Sequence, residues 1–253
     1  MDSNFKYSHA VLGFPLVFVV LLWVVYWFEI RFQIDLSEHG IYPRTLAGFQ
    51  GVVFSPFLHG NLEHLYNNSI PLFVLLVALR YFYSKQFLPI ISYGILLSGS
   101  ITWLIGRSNF HIGASSLIYV LVSFIFFKGI QTRYYRLVAL SLTVIMLYGG
   151  MVWFMFPTLD TSISWEGHLA GFISGYAFSF IFKTPEYHKP VFYEWEHPDF
   201  NPQNDPFMKR FDENGNFVNP PKPEEIEVTY EEVTSHQPFQ YVYVFKENRE
   251  EAE

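Results

Sequence analysis

Cysteine is missing from all 253 residues, which excludes disulfides, thiol nucleophiles and cysteine-based zinc sites and leaves the redox compartment unreadable. Charge is scarce as well. Asp, Glu, Lys and Arg make up 15% of the chain, against roughly 25% in an average soluble domain. The net charge of −7 disfavours a basic nucleic-acid surface, so no nucleic-acid partner is expected. What replaces charge is apolar: 51% hydrophobic and 20% aromatic residues. A mean hydropathy of +0.19 is too high for an ordinary soluble chain and too low for one that is membrane throughout. Such an average points to two unlike parts.

The split falls near Thr184. Residues 1–184 carry ten Lys/Arg and seven Asp/Glu, a net of +3, whereas residues 185–253 carry six and sixteen, a net of −10. The first part is dominated by long apolar runs that read as helices at about 11–28, 62–82, 87–106, 115–129, 135–155 and 167–183. Most approach the roughly 20 residues that a hydrocarbon core of about 30 Å requires, and lipid admits only helices or closed barrels. Barrel-type alternation is not seen. The expectation is an all-α membrane protein: a six-transmembrane-helix bundle over 1–184, followed by an acidic, mostly irregular soluble tail over 185–253. The first run has Lys6 before it, Glu29 after it and no small-residue cleavage site, so it reads as a retained helix and not as a signal peptide.

Lys and Arg near the helix ends set the orientation. With the N-terminus cytoplasmic, the inner side collects Lys6, Arg80, Lys85, Lys128, Arg133, Arg136 and Lys183, and the outer side Arg31, Arg44 and Arg107. That asymmetry favours both termini inside. The outer loops are then 29–61, 107–114 and 156–166. In the tail, Asn219-Pro220-Pro221-Lys222-Pro223 breaks regular structure, while Ile226–Tyr230 and Tyr241–Phe245 have the composition of short strands or a hairpin.

Polar residues where lipid makes them expensive are the informative ones, because they usually line a cavity or pathway. Three clusters qualify. His59, His64 and Asn68 stand at the outer end of the second run; His64 and Asn68 are four apart, share one helix face and can point two donors at one atom. A merely polar helix entrance would explain them too. Gly113-Ala114-Ser115-Ser116 opens the fourth run, which, if it ends at Lys128, is about 21 Å long and leaves Ser115 below the outer surface. There the helix N-terminus favours negative charge, although small residues also serve close packing. Tyr119 follows on the same face. Glu166-Gly167-His168 opens the sixth run, and Gly171 and Gly175 form a small-residue stripe beside His168. A structural or pH-sensing histidine is the plainer reading there.

Together the clusters supply a hydroxyl, an imidazole and extra donors at one depth. A serine needs a base to take its proton, histidine suits that exchange near neutral pH, and a tetrahedral acyl intermediate needs preorganised donors. The later helices carry no Asp or Glu away from their ends, and Glu166, two residues from His168, faces elsewhere on a helix. A Ser–His dyad therefore fits better than a triad.

With these three motifs in order on the expected helices, residues 10–183 resemble a rhomboid intramembrane serine protease of the bacterial, six-helix type. The resemblance implies Ser115 as nucleophile and His168 as general base, with His64, Asn68 and the Ser115 amide as the oxyanion hole. Under it His59 is structural, Tyr119 packs on the imidazole, and Gly113, Gly171 and Gly175 support the site. It implies no cofactor or metal, a multi-pass location in a bacterial inner membrane, and transmembrane proteins as substrates, cut near helix ends where small or helix-destabilising residues occur. Ser116 stands where the family commonly has glycine, so a side chain must fit there. Tyr42-Pro43-Arg44-Thr45 replaces a Trp-Arg pair often found in the first outer loop.

Hydrolysis needs water, so a recessed serine must open into a hydrated cavity from the outer side. The long first loop can shield it, with Phe49, Val52, Val53, Phe54, Phe57 and Leu58 as an interfacial segment in the lipid. Two other readings compete: an inactive rhomboid-like protein that binds or guides transmembrane helices, and a transporter or channel. Inactive relatives commonly lack the serine or the histidine, and a transport path would spread its polar residues across the bilayer.

Overall fold

A computed structural model describes residues 5, 7–157, 163–183, 193, 195 and 199–218. The chain divides into two compact units, Met1–Pro190 and Val191–Glu253. In chain order the first contains α1 (Ala10–Phe32), the single-turn helices α2 (Leu46–Phe49) and α3 (Gly51–Phe54), then α4 (Leu62–Phe82), α5 (Phe87–Ile105), α6 (Ser115–Thr132), α7 (Tyr135–Tyr148) and α8 (Trp165–Ile181). Five stretches among the described residues are long and apolar enough to cross a membrane: α1, α4, α5, α6, and α7 continued to Met155. With 17 residues, α8 is shorter. All six runs expected from the sequence are helical.

The helix ends differ from expectation for identifiable reasons. Glu29 does not stop α1; its carboxylate accepts the Leu36 N–H at 3.2 Å, beyond the helix, and α1 ends at left-handed Gln33. Nor does Lys128 end α6. It is buried and its Nζ donates to the Ser179 carbonyl at 2.9 Å, placing a cation on the last turn of α8 where the helix dipole favours it. α6 therefore runs 18 residues, about 27 Å. The fifth run is α-helical only to Tyr148 and tightens into a 3-10 turn over Gly149–Met155. α8 starts two residues early because Ser164 caps it, its hydroxyl accepting the Gly167 N–H at 3.3 Å.

α6 is the centre of the bundle, packed against α4, α5, α7 and α8. Every residue from Leu117 to Ile125 is buried. α1 leans on α4 through buried Leu22 and the Trp23 indole, which donates to Ser69 Oγ at 3.0 Å; Phe14, Val17, Val24 and Trp27 stay exposed. Leu142, Met146 and Leu147 of α7 are exposed too. In lipid such surfaces cost nothing, and contact between helices rests on close packing and hydrogen bonds.

The α6–α8 contact is the most extensive. A Cβ on Gly171 would land on the Ser116 carbonyl and one on Gly175 on the Val120 carbonyl. Backbone thus meets backbone along both residues of the small-residue stripe. The Ser116 side chain fits because the contact uses its carbonyl, leaving the half-buried hydroxyl to one side.

The first loop is folded, not simply laid in lipid. Val52 and Leu58 are buried, Phe57 is half-buried against Phe18, and only Phe49, Val53 and Phe54 stay exposed. This corrects the expectation of six lipid-facing residues: Val52 packs against α5 at Gly99, where a Cβ would meet the Val52 backbone at 3.1 Å. Arg44 fastens the loop further, donating to the carbonyls of Leu104 at 3.2 Å and Gly106 at 2.7 Å at the end of α5.

In the second unit, residues 199–218 form two 3-10 turns, Pro202–Asn204 and Met208–Arg210, and a Phe211–Phe217 bridge. Asp212 closes that turn by accepting the amides of Asn214 and Asn216. The segments Ile226–Tyr230 and Tyr241–Phe245, and the breaker at 219–223, lie outside the described residues.

Gly175→Val must push α6 from α8 and is expected to lower stability by about 1–3 kcal/mol. Gly13→Val, with nothing within 4 Å of its Cβ, serves as the neutral comparison. Unfolding midpoints in mixed detergent micelles measure the difference.

Candidate active site

Ser115 is the first residue of α6, behind Ala114 at the N-cap. Its amide belongs to the first turn, where N–H groups lack intrahelical acceptors. The approach to it is tightly held. Gly113 has φ +108°, a backbone region side chains rarely adopt, and donates its N–H to the Ser55 carbonyl at 2.8 Å. His111 pairs with Ile41 through both backbone hydrogen bonds.

His168, in the first turn of α8, reaches across the Gly171 contact. Its Nε2 lies 3.0 Å from Ser115 Oγ and its Nδ1 lies 2.8 Å from the Phe154 carbonyl oxygen. A carbonyl can only accept, so Nδ1 carries the hydrogen and the neutral ring presents Nε2 as acceptor to the serine hydroxyl. Tyr119 stacks on the imidazole with centroids 4.4 Å apart and an 18° interplanar angle. Its hydroxyl donates to the Met151 carbonyl at 2.6 Å. The 3-10 turn after α7 therefore supplies two carbonyls that fix the ring and its stacking partner.

On the other side stand the residues of α4. Asn61 caps it, accepting the His64 N–H at 2.8 Å. His64 and Asn68 converge on Gly113: a Cβ there would lie 2.6 Å from His64 Nε2 and 3.4 Å from Asn68 Nδ2. Glycine keeps that space open. The buried Asn68 Nδ2 has no hydrogen-bond partner among the described residues, a costly state that a negatively charged oxygen would relieve. His59 is 3% exposed, and its ring meets His64 edge-on at 5.1 Å. Burial, then the neighbouring His64, push its pKa down to about 4, so it is neutral at physiological pH. The structure thus brings Ser115, His168, Tyr119, His64, Asn68, His59 and Gly113 into one region, and sets Gly171 and Gly175 under it.

Glu166 turns away from His168. It is 1% exposed, accepts the Arg107 amide at 3.2 Å and lies 3.8 Å from Arg107 Nε. The Arg107 guanidinium also donates to the Ile163 carbonyl. Beside this pair, His111 Nδ1 is 2.6 Å from Ser164 Oγ and Nε2 is 3.1 Å from the Arg107 carbonyl. Burial pushes the His111 pKa down, which keeps its ring neutral and able to accept from Ser164. These two links join the loop before Ser115 to the segment before His168. Sequence reasoning missed both, although buried charges of opposite sign flanking two motifs were a usable signal. It also missed the Phe154 carbonyl, which no side-chain pattern encodes. A polar recess of 10 Å³ beside Ser115, bordered by Ser55, Thr102, His111 and Ser164, is about the space a single water needs. Among the described residues no group of His, Asp and Glu could hold a metal ion.

Residues 47–185 match the family described as the Rhomboid domain. Uncharacterized proteins of Mycobacterium tuberculosis and Mycobacterium bovis are 34% identical to this chain over 179 residues, covering 68% of it and 75% of each relative. An uncharacterized protein of Mycobacterium leprae is 32% identical over 179 residues, covering 68% of the chain and 71% of the relative. From its helical bundle, its apolar spans and these matches, the chain belongs to the rhomboid family and is a multi-pass integral membrane protein.

Proposed function

We propose that the protein is an intramembrane serine endopeptidase that cleaves transmembrane segments of other membrane proteins with a Ser115–His168 dyad. The observation that carries this reading is the Ser115 Oγ to His168 Nε2 distance of 3.0 Å with the opposite ring nitrogen held by the Phe154 carbonyl. His168 takes the hydroxyl proton as Ser115 attacks the scissile carbonyl. The Ser115 amide, His64 Nε2 and Asn68 Nδ2 receive the developing oxyanion, and Asn68 is already desolvated and unpaired for that purpose. His168 returns the proton to the leaving amine, after which water, taken up through the polar recess beside Ser115, releases the acyl group.

A carbonyl in the place of a triad carboxylate suits this setting, because it fixes the tautomer without putting a second charge among the helices. The excess of Lys and Arg on one side supports cytoplasmic termini and an outward-facing site in a bacterial inner membrane. On this reading residues 1–184 are the protease domain and 185–253 an acidic soluble extension.

Ser115→Ala and His168→Ala are each expected to lower cleavage of a model transmembrane substrate by about 1,000-fold or more and to abolish fluorophosphonate labelling. Wild-type protein inert toward several substrates and lipids would instead indicate a helix-binding relative. Asn68→Ala removes one of three donors, so kcat is expected to fall about 100-fold, less than in the dyad variants, with KM little changed. Steady-state kinetics in detergent measures both; an Asn68→Ala enzyme as inactive as Ser115→Ala contradicts the assignment.

A further inference from the structure

A second cavity lies beside the site, between the outer end of α1 and the loop leading to α4. Its volume is about 330 Å³. Tyr26, Ile30 and Ile34 give it apolar sides, while Glu29, Gln33, Asp35, Ser37 and His59 supply the polar groups. No Lys or Arg lines it. Arg31, the nearest cation in sequence, turns instead over the Phe32 ring.

Two of these polar groups, Glu29 and His59, are poorly satisfied. Glu29 Oε1 accepts the Leu36 amide at 3.2 Å, but Oε2, shielded from solvent, has no hydrogen-bond partner among the described residues. Both ring nitrogens of the buried His59 are also without one, the Phe57 backbone lying near without reaching hydrogen-bonding geometry. Asp35 is close enough for its charge to act on Glu29. Because His59 is neutral, no positive charge in the cavity offsets the two carboxylates, although Asp35 Oδ1 accepts the Ser37 N–H at 2.8 Å. Uncompensated acceptors at the end of an apolar trough match a long aliphatic stem with a cationic head.

The cavity is also placed to read a substrate. His59 borders it and contacts His64 at 5.1 Å, and His64 converges on Gly113, two residues before Ser115. An extended chain advances about 3.3–3.6 Å per residue. A peptide whose carbonyl sits in the hole and that continues toward α1 has the reach, at this rise, to bring a side chain to the cavity within about two to four residues. Resting on the protease reading, we propose that this cavity is a specificity subsite for a Lys or Arg side chain located two to four residues from the scissile bond. Basic residues are sparse on the outer flanks of transmembrane segments, so such a subsite discriminates sharply among candidate substrates.

The test uses the full chain in phosphatidylcholine and phosphatidylglycerol vesicles, so that no lipid offers a primary ammonium. A neutral transmembrane substrate is compared with versions carrying a single Lys at each position from four before to four after the cleavage site. The expected result is one position, or two adjacent ones, at which Lys raises kcat/KM about tenfold, chiefly through KM. Glu29→Gln, which keeps the acceptor for Leu36, should bring that ratio close to one. Glu29→Lys should reverse it, so that a Glu at the same position becomes the favoured substrate; a purely structural role for Glu29 would not invert charge preference. A wild-type enzyme that cuts the neutral substrate with no positional effect of Lys overturns the subsite alone. So does an unchanged Lys preference in Glu29→Gln. Failure to cut any substrate strikes the protease reading itself.

Discussion

Everything in the candidate site depends on how near α6 and α8 can come. Ser115 and His168 are fixed to these two helices, and their 3.0 Å separation exists because Gly171 and Gly175 let the α8 backbone rest on the carbonyls of Ser116 and Val120. In lipid no hydrophobic gain drives helices together, so the contact must be won by close packing. Any side chain at either glycine would move the imidazole away from the hydroxyl before it altered any reacting group. Lys128 secures the far end of the pair by capping α8.

Low dielectric explains the second shared feature, the use of backbone oxygens to hold polar side chains. The Phe154 and Met151 carbonyls orient His168 and Tyr119, and Ser98, Thr102 and Ser174 return their hydroxyls to their own helices. A carbonyl gives direction without adding a buried charge. Two buried charges are bound in a pair or a cap: Glu166 with Arg107, and Lys128 on the last turn of α8. The links from Arg107 to Glu166 and from His111 to Ser164 tie together the segments that present the serine and the histidine.

Much of this was legible in one dimension. The six apolar runs appear as helices, because a span must satisfy its backbone internally whatever it packs against. Helix ends were less legible: a charge such as Glu29 or Lys128 reads as a stop when its partner, the Leu36 amide or the Ser179 carbonyl, lies elsewhere in the fold. The first loop was misjudged for a related reason, since hydrophobicity cannot distinguish burial in lipid from burial within the protein, and Val52, against α5, and Leu58 took the second option. The polar residues of the site stood out because lipid makes such residues conspicuous.

By itself, the sequence determined the division into an apolar, mildly basic part and an acidic tail, the six long helical runs, and the chemical types in the polar clusters, because composition and period are local properties. It could also set aside Glu166 as a partner for His168 from their spacing on one helix. Only the tertiary structure decided which atoms meet: that the second imidazole nitrogen faces the Phe154 carbonyl, that His64 and Asn68 converge on Gly113, and that Glu29 and His59 share a cavity. Those relations join segments from different helices and loops, and many of them run through backbone atoms, which every residue carries and no sequence pattern distinguishes.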